Sequence, residues 1–282
     1  MPKLQPDNIN ELLQAVQLSS KYAAISEDMI RSIGLRELAA RRNLKAAIKA
    51  TKNKLHQVAG AYLDARLPYD DWLALLSESK GAQTNTDDAQ FSILNSQFRQ
   101  SCREIMRHHA STRERLPILE SFYATTLAAL GPVHSVLDLA CGLNPLALPW
   151  MPLAPDARYY ACDIYADMIA FLNGFFAHAG IHGQARVCDL VAGAPDQQVD
   201  LALVLKALPP LDQQAKNAGR DLLRALNARH ILVSFPAHSL GGRGKGMAEN
   251  YEQRFRTLAD AEGWEIERFV FPTELAFLVR KE

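Results

Sequence analysis

The sequence predicts an all-helical first part followed by an α/β fold, a mostly parallel sheet that ends in an antiparallel hairpin. Three observations carry this. From residue 8 to about residue 115 apolar residues recur at three- and four-residue steps, as in Leu12, Leu13 and Val16 or Ile25, Met29, Ile30 and Ile33, with no two-residue alternation. After Gly131-Pro132 short apolar runs alternate with helical stretches, the pattern of parallel strands covered by helices on both faces. The last two runs are separated only by Pro272-Thr273-Glu274, too short for a helical crossover, so they pair as a hairpin at one side of the sheet.

The elements follow in chain order. With 282 residues, 48% of them hydrophobic, the chain can bury one large core or two modest ones, and the change of texture divides it into a helical domain over 1–107 and an α/β domain over 108–282. In the helical part, residues 31–54 hold Arg31, Arg36, Arg41, Arg42, Lys45, Lys49, Lys52 and Lys54 against a single acid, Glu37. The whole chain has 31 Lys and Arg against 31 Asp and Glu, so a neutral total conceals a local positive patch. Lys45, Lys49 and Lys52 step by four and three, which places them on one helix face, able to meet several phosphates or simply to be solvated. Residues 77–88 are polar and read as a loop. Strands are expected at 135–140, 158–164, 185–189, 201–205, 231–235, 264–271 and 275–279. No apolar run approaches the roughly 18 residues of a membrane helix, and the start lacks a secretory signal, so a soluble cytoplasmic protein with no membrane partner is expected. Cys102, Cys141, Cys162 and Cys188 stand singly, which predicts reduced, buried thiols, with neither disulfide nor structural zinc. The adjacent His108 and His109 face different ways and lack a third ligand, so no metal is expected, and Trp72, Trp150 and Trp264 read as core residues.

The chemistry lies at strand ends, where open α/β sheets bind ligands. The first strand carries Asp138 and runs into a turn of small residues, Ala140 and Gly142. This is not a dinucleotide fingerprint: Ala140 takes one glycine position and Asn144-Pro145 another, and Pro145 has no N–H to give a phosphate. The second strand ends in Asp163, placed to accept ribose hydroxyls, and the third in Asp189, placed for an adenine amino group; each alone could equally cap a turn. Together with Asp138 they favour a ligand carrying hydroxyls, an amine and a positive sulfonium. Lys206 ends the fourth strand and either snorkels to solvent or faces an acceptor. The loop after the fifth strand is rich in glycine and carries Arg243 and Lys245, suited to phosphate or base-edge contacts. Five β/α units closed by a terminal hairpin are similar to the Rossmann-like sheet of class I S-adenosylmethionine-dependent methyltransferases, an analogy of fold alone.

Four segments make the likeness more specific: residues 109–116 (His-Ala-Ser-Thr-Arg-Glu-Arg-Leu), 138–146 (Asp-Leu-Ala-Cys-Gly-Leu-Asn-Pro-Leu), 206–209 (Lys-Ala-Leu-Pro), and 234–236 (Ser-Phe-Pro) with 239–247 (Ser-Leu-Gly-Gly-Arg-Gly-Lys-Gly-Met). With Ser20-Lys21-Tyr22 and residues 55–62, they closely resemble the Arm/Rmt aminoglycoside-resistance methyltransferases over essentially the whole chain. The residues around Lys206 depart from many relatives, while the lysine itself is kept. The resemblance implies S-adenosylmethionine as cofactor and N7 of a decoding-centre guanine in 16S ribosomal RNA of the 30S subunit as acceptor, with no DNA partner. It implies that Arg115 binds the cofactor carboxylate, within a cofactor set of His109, Ser111, Arg115, Asp138, Ala140, Gly142, Asp163, Ile164, Asp189 and Leu190. Lys206, Arg243 and Met247 would act at the acceptor, and Lys21, Arg31, Arg41, Arg42, Lys45, Lys49, Lys52 and Lys245 would bind RNA.

Guanine N7 is a bare lone pair on the major-groove edge, so methyl transfer to it requires no general base. Catalysis would rest on holding N7 in line with the methyl group, roughly 3–3.5 Å away, on a base flipped from its stack. Three other readings stand beside this one: a methyltransferase for small molecules, a non-catalytic RNA-binding protein with a degenerate cofactor fold, and a nicotinamide oxidoreductase. The basic helical half, the intact carboxylates and the missing glycine fingerprint count against them in turn.

Overall fold

The computed structural model describes residues 6–20, 22–41, 43–58, 67–81, 96–237 and 246–281. Before the sheet come α1 (Pro6–Gln17), α2 (Glu27–Ala40), α3 (Leu44–Val58), α4 (Tyr69–Gly81), α5 (Ser96–Met106), α6 (Ala110–Arg115) and α7 (Leu119–Thr126). α2 illustrates why such segments are helical. Ser26 caps it by accepting from the Met29 N–H at 3.2 Å, Glu27 and Asp28 meet the positive end of its dipole, and Met29, Ile30, Ile33, Gly34 and Glu37 form its buried face. Gly34 lets α1 come close, since a Cβ there would lie 2.6 Å from a Leu12 methyl carbon. The expected loop over 77–88 is corrected at its start: α4 continues to Gly81, and 82–88 lie outside the described residues.

The sheet contains β1 (Ser135–Leu139), β2 (Arg158–Asp163), β3 (Gly183–Val187), β4 (Val199–Leu205), β5 (Ala228–Pro236), β6 (Glu265–Val270) and β7 (Glu274–Arg280), in the order β3-β2-β1-β4-β5-β7-β6. β1 to β5 run parallel, and β7 inserts antiparallel between β5 and β6. Each expected strand is present with small shifts at its ends. β4 and β7 are buried almost throughout, whereas the edge strand β6 is largely exposed and carries Glu265, Glu267 and Arg268. The crossovers are less regular than five β/α units suggest. Between β1 and β2 there is a 3-10 segment, Asn144–Trp150, because Pro149, inside it, withholds an amide proton that an α-helix needs. No helix forms between β3 and β4, where Gly193 and Pro195 fall. The remaining crossover helices are α8 (Ala166–Ala179), α9 (Leu208–Gln214), α10 (Ala218–Ala225) and α11 (Met247–Glu262).

One apolar core joins the N-terminal helices to one face of the sheet: Leu12, Ile30, Phe98, Phe122, Tyr159 and Phe175 belong to it. The other face is covered by α9, α10 and α11 through Leu211, Leu223 and Phe255, which belong to one core with Phe277 of β7. Burying side chains of this size contributes about 1.5–3 kcal/mol each. The cysteine expectation is corrected too. β2 and β3 are neighbours, so Cys162 and Cys188, 26 residues apart in sequence, reach a Cα separation of 5.8 Å and are joined as a disulfide, while Cys102 and Cys141 are free and buried.

Candidate active site

β1 and β4 lie side by side at the centre of the sheet, and their crossovers leave in opposite directions, which opens a crevice beyond their C-terminal ends. The backbone is strained there. Ala140 has φ 49°, Gly142 φ 52° and Lys206 φ 59°, which for a side chain with a Cβ costs about 1–3 kcal/mol. Gly142 is required for a second reason, because a Cβ would sit 2.6 Å from the His109 ring. The crevice holds about 570 Å³ of space, open solvent at its mouth included. It is lined by His109, Ser111, Ala140, Asp163, Ile164 and Lys206, which sequence reasoning singled out, and by Tyr165, Leu205, Ala207, Pro210, Leu211 and Gln214, which it missed.

Asp163 is gripped at the cavity wall by backbone N–H groups. Its carboxylate accepts from the Gly142 N–H at 2.8 Å and the Ile164 N–H at 2.6 Å. Burial raises this carboxyl above the usual range, and the N–H groups of Gly142, Ile164 and Tyr165 pull it back. Asp138 lies beneath the cavity instead of lining it. It accepts from Asn144 Nδ2 at 2.9 Å and from the Tyr159 hydroxyl at 2.7 Å, while its Oδ1 is buried without a partner among the described residues. Burial pushes its pKa up to about 7, with those two hydrogen bonds opposing the rise. Asp189 stands at the rim, where Oδ1 accepts from the Val191 N–H at 3.0 Å and Oδ2 faces Arg36 of α2 at 3.8 Å. Leu190 packs into the core of the opposite sheet face.

Arg115 departs furthest from its expected placement. The resemblance implies a cofactor carboxylate as its partner, yet its side chain is wholly buried and its partner is a carboxylate of the chain itself. Nε and Nη2 meet the two oxygens of Glu274 at 2.9 and 3.0 Å, and Nη1 donates to Asn144 Oδ1 at 2.8 Å. The cause is topological: β7 lies beside β5, so its first residue, Glu274, is carried into the interior below the mouth. Glu274 also faces Lys206 Nζ at 3.2 Å, and that ammonium donates to Glu114 at 2.7 Å and to the Ser111 carbonyl at 3.3 Å. Lys206 is therefore fixed in the cavity wall by acids of α6 and β7. Sequence reasoning missed both acids, because Glu274 reads as a turn residue and Glu114 as an unassigned part of a motif. His109 is kept neutral: burial drives its pKa down to about 3, helped by the cations of Lys206, Arg115 and Arg113.

Arg243 and Lys245 lie outside the described residues, as do Lys21 and Arg42, while Met247 opens α11 half-buried. On the helical half, Arg31 pairs with Glu27 at 2.6 Å and Arg41 with Glu37 at 3.0 Å, each one turn back along α2. Lys45 and Lys49 are exposed on α3, and Lys52 is half-buried. The cavity fits S-adenosylmethionine by its donor set. Asp163 supplies an anion, Ile164, Leu205 and Leu211 supply apolar wall, and Gln214 Oε1 is a buried acceptor with no partner among the described residues.

The model of the ribosomal RNA methyltransferase (FmrO) family matches residues 18–278. The chain belongs to this family. A Frankia casuarinae relative of this FmrO-family chain, named 16S rRNA (guanine(1405)-N(7))-methyltransferase, is 38% identical over 280 residues, covering 98% of this chain and 95% of its own. A protein of the same name from Micromonospora echinospora is 36% identical over 98% of this chain and 97% of its own, and one from Serratia marcescens is 33% identical over 97% and 99%. Among solved structures, the 16S rRNA methyltransferase RmtF in complex with S-adenosyl-L-homocysteine superposes with TM-score 0.80 at 29% identity, covering 99% of this chain and 100% of that one. The 16S rRNA methylase RmtB gives TM-score 0.77 at 29% identity and the same coverage. The fold is that of the Rossmann-like, class I S-adenosylmethionine-dependent methyltransferases, with a helical N-terminal region. No helix among the described residues is long and apolar enough to cross a membrane.

Proposed function

We propose that this enzyme transfers the methyl group of S-adenosylmethionine to N7 of guanine 1405 of 16S ribosomal RNA, acting on the 30S subunit in the cytoplasm and so conferring aminoglycoside resistance. The observation that carries this reading is likeness over nearly the whole length to proteins named for that activity, the helical half included. A small-molecule methyltransferase would need only the sheet and its mouth.

When bound, S-adenosylmethionine supplies a methyl group on a positively charged sulfur. Asp163 accepts hydrogen bonds from the ribose, its charge held at the cavity wall by the Gly142 and Ile164 N–H groups. Asp189 stands at the adenine side, and Ile164, Leu205 and Leu211 exclude water. His109, kept neutral by burial, adds no positive charge beside a cationic cofactor. Lys206, clamped by Glu114 and Glu274, together with Arg243 and Met247, orients the flipped guanine so that N7 lies in line with the methyl group. No residue is required to remove a proton. Arg31, Arg41, Lys45, Lys49 and Lys52, together with Lys21, Arg42 and Lys245, meet phosphates of the folded RNA and read its shape, and residues 1–107 act as the docking unit.

The test is methyl transfer from tritiated S-adenosylmethionine to purified 30S subunits and to naked 16S RNA. Label on the subunits is expected. Label on a small molecule and on neither RNA substrate would overturn the reading.

A further inference from the structure

The helical half touches the cofactor cavity at three of its borders, through contacts that docking on RNA does not require. The first is at the end of β2. Ile25, between α1 and α2, forms an antiparallel bridge with Tyr165, with Ser26 N–H donating to the Ile164 carbonyl at 3.1 Å and Ala166 N–H to the Ala24 carbonyl at 2.9 Å. The second is at the end of β3, where Arg36 faces the Asp189 oxygen that is buried and makes no hydrogen bond within the described residues. The third is at the end of α9, where Lys54 of α3 donates to the Gln214 main-chain carbonyl at 2.5 Å. Ile164, Tyr165 and Gln214 line the cavity, and Asp189 stands at its rim.

We propose that Arg36 and Lys54 are cofactor-positioning residues, which fix Asp189 and the last turn of α9 as walls of the S-adenosylmethionine site. They belong to the basic stretch 31–54, but each has a partner in the α/β half: Lys54, half-buried, on the Gln214 carbonyl, and Arg36, itself exposed, at 3.8 Å from Asp189. Lys54 fills a definite need. The last carbonyls of a helix have no partner within it, and a cation there is favoured by the helix dipole. Without it the Gln214 carbonyl loses its partner and the last turn of α9 is free to shift, carrying the Gln214 side chain out of register with the cavity. Arg36 acts on the opposite border, where its guanidinium faces the Asp189 carboxylate that also accepts from the Val191 N–H.

This inference rests on the methyltransferase reading, and its test separates the two. S-adenosylhomocysteine is titrated calorimetrically into the full chain without RNA, and into Arg36→Gln, Lys54→Met and the double variant. The dissociation constant is expected to rise about threefold for Arg36→Gln and about tenfold for Lys54→Met. Arg36→Lys and Lys54→Arg recover most of the affinity. With 30S subunits, KM for S-adenosylmethionine rises while kcat at saturating cofactor is kept, a split that general destabilisation would not produce. Should Lys54→Met fail to fold, Arg36→Gln carries the measurement. Unchanged affinity in folded Arg36→Gln and Lys54→Met would overturn the inference and leave the proposed function standing. No binding by the unaltered chain would overturn both.

Discussion

Two regions of the molecule hold the same kinds of cation and treat them in opposite ways. At the mouth of the sheet, Arg115 and Lys206 are buried and converge on one carboxylate, Glu274. On α3, Lys45 and Lys49 stand in solvent. A charge taken out of water must be matched where it sits, since removing one partner of a buried pair costs about 3–5 kcal/mol. That requirement makes the mouth a fixed geometry. A hydrated charge is displayed at little cost, acts within a Debye length of about 8 Å, and contributes an attraction to phosphates that falls with salt. Under the proposed function the mouth holds atoms in line, and the helical face brings a large polyanion close. Arg36 and Lys54 lie between these regimes, cations of the helical half spent on the cofactor half.

Breaking the buried side should have the largest effect. Glu274→Gln leaves Arg115 and Lys206 without their shared anion and is expected to lower folding stability by about 3–5 kcal/mol in urea titration; a loss under about 1 kcal/mol would show that the mouth is held by something else. Next comes Asp163→Asn, which turns an anion gripped by two N–H groups into an amide; S-adenosylhomocysteine affinity should fall at least about tenfold with the fold retained. The exposed side answers differently. Reversing Lys45 and Lys49 to Glu should leave the melting temperature within a degree or two and reduce the slope of log affinity for 30S subunits against log salt by roughly two, whereas an unchanged slope would remove α3 from the docking face.

The smallest effect divides the mouth itself by pH. His109, held neutral with its pKa at about 3 against an ordinary 6.5, contributes stability that is present above pH 6.5 and lost as pH falls. Asp138, raised to about 7 from 3.8, works the other way: its contribution is complete below pH 3.8 and lost as pH rises through 7. Asp138→Asn should therefore melt a few degrees lower at pH 5 than at pH 7.5, and His109→Gln a few degrees lower at pH 7.5 than at pH 5. Shifts of the same sign in both variants would contradict these assignments.

What the sequence made legible divides along similar lines. The strands, the terminal hairpin and the turn at Ala140 and Gly142 could be read because period, spacing and small residues are local signals. Asp163 and Lys206 could be placed because a strand's end fixes where its next side chain goes. Glu274 could not, since its role depends on β7 lying beside β5, a pairing between residues about forty apart. Gln214 and Leu211 needed the packing of α9 at the mouth, and the contacts of Arg36 and Lys54 with the α/β half needed the whole helical arrangement. Within a charge run, sequence gives the sum of the charges and leaves the direction of each to tertiary contacts. The Cys162–Cys188 bond was hidden for the same reason, as strand adjacency is not written in cysteine spacing.

The central claim, that a rigid mouth serves one nitrogen of one folded RNA, is tested most directly by locating the methyl group. Subunits treated with the enzyme and S-adenosylmethionine are reduced with borohydride and cleaved with aniline, which breaks the chain at N7-methylated guanine. The account predicts a single new scission at guanine 1405 of 16S RNA, absent with Asp163→Asn. Label incorporated without scission, or scission at another guanine, would contradict it.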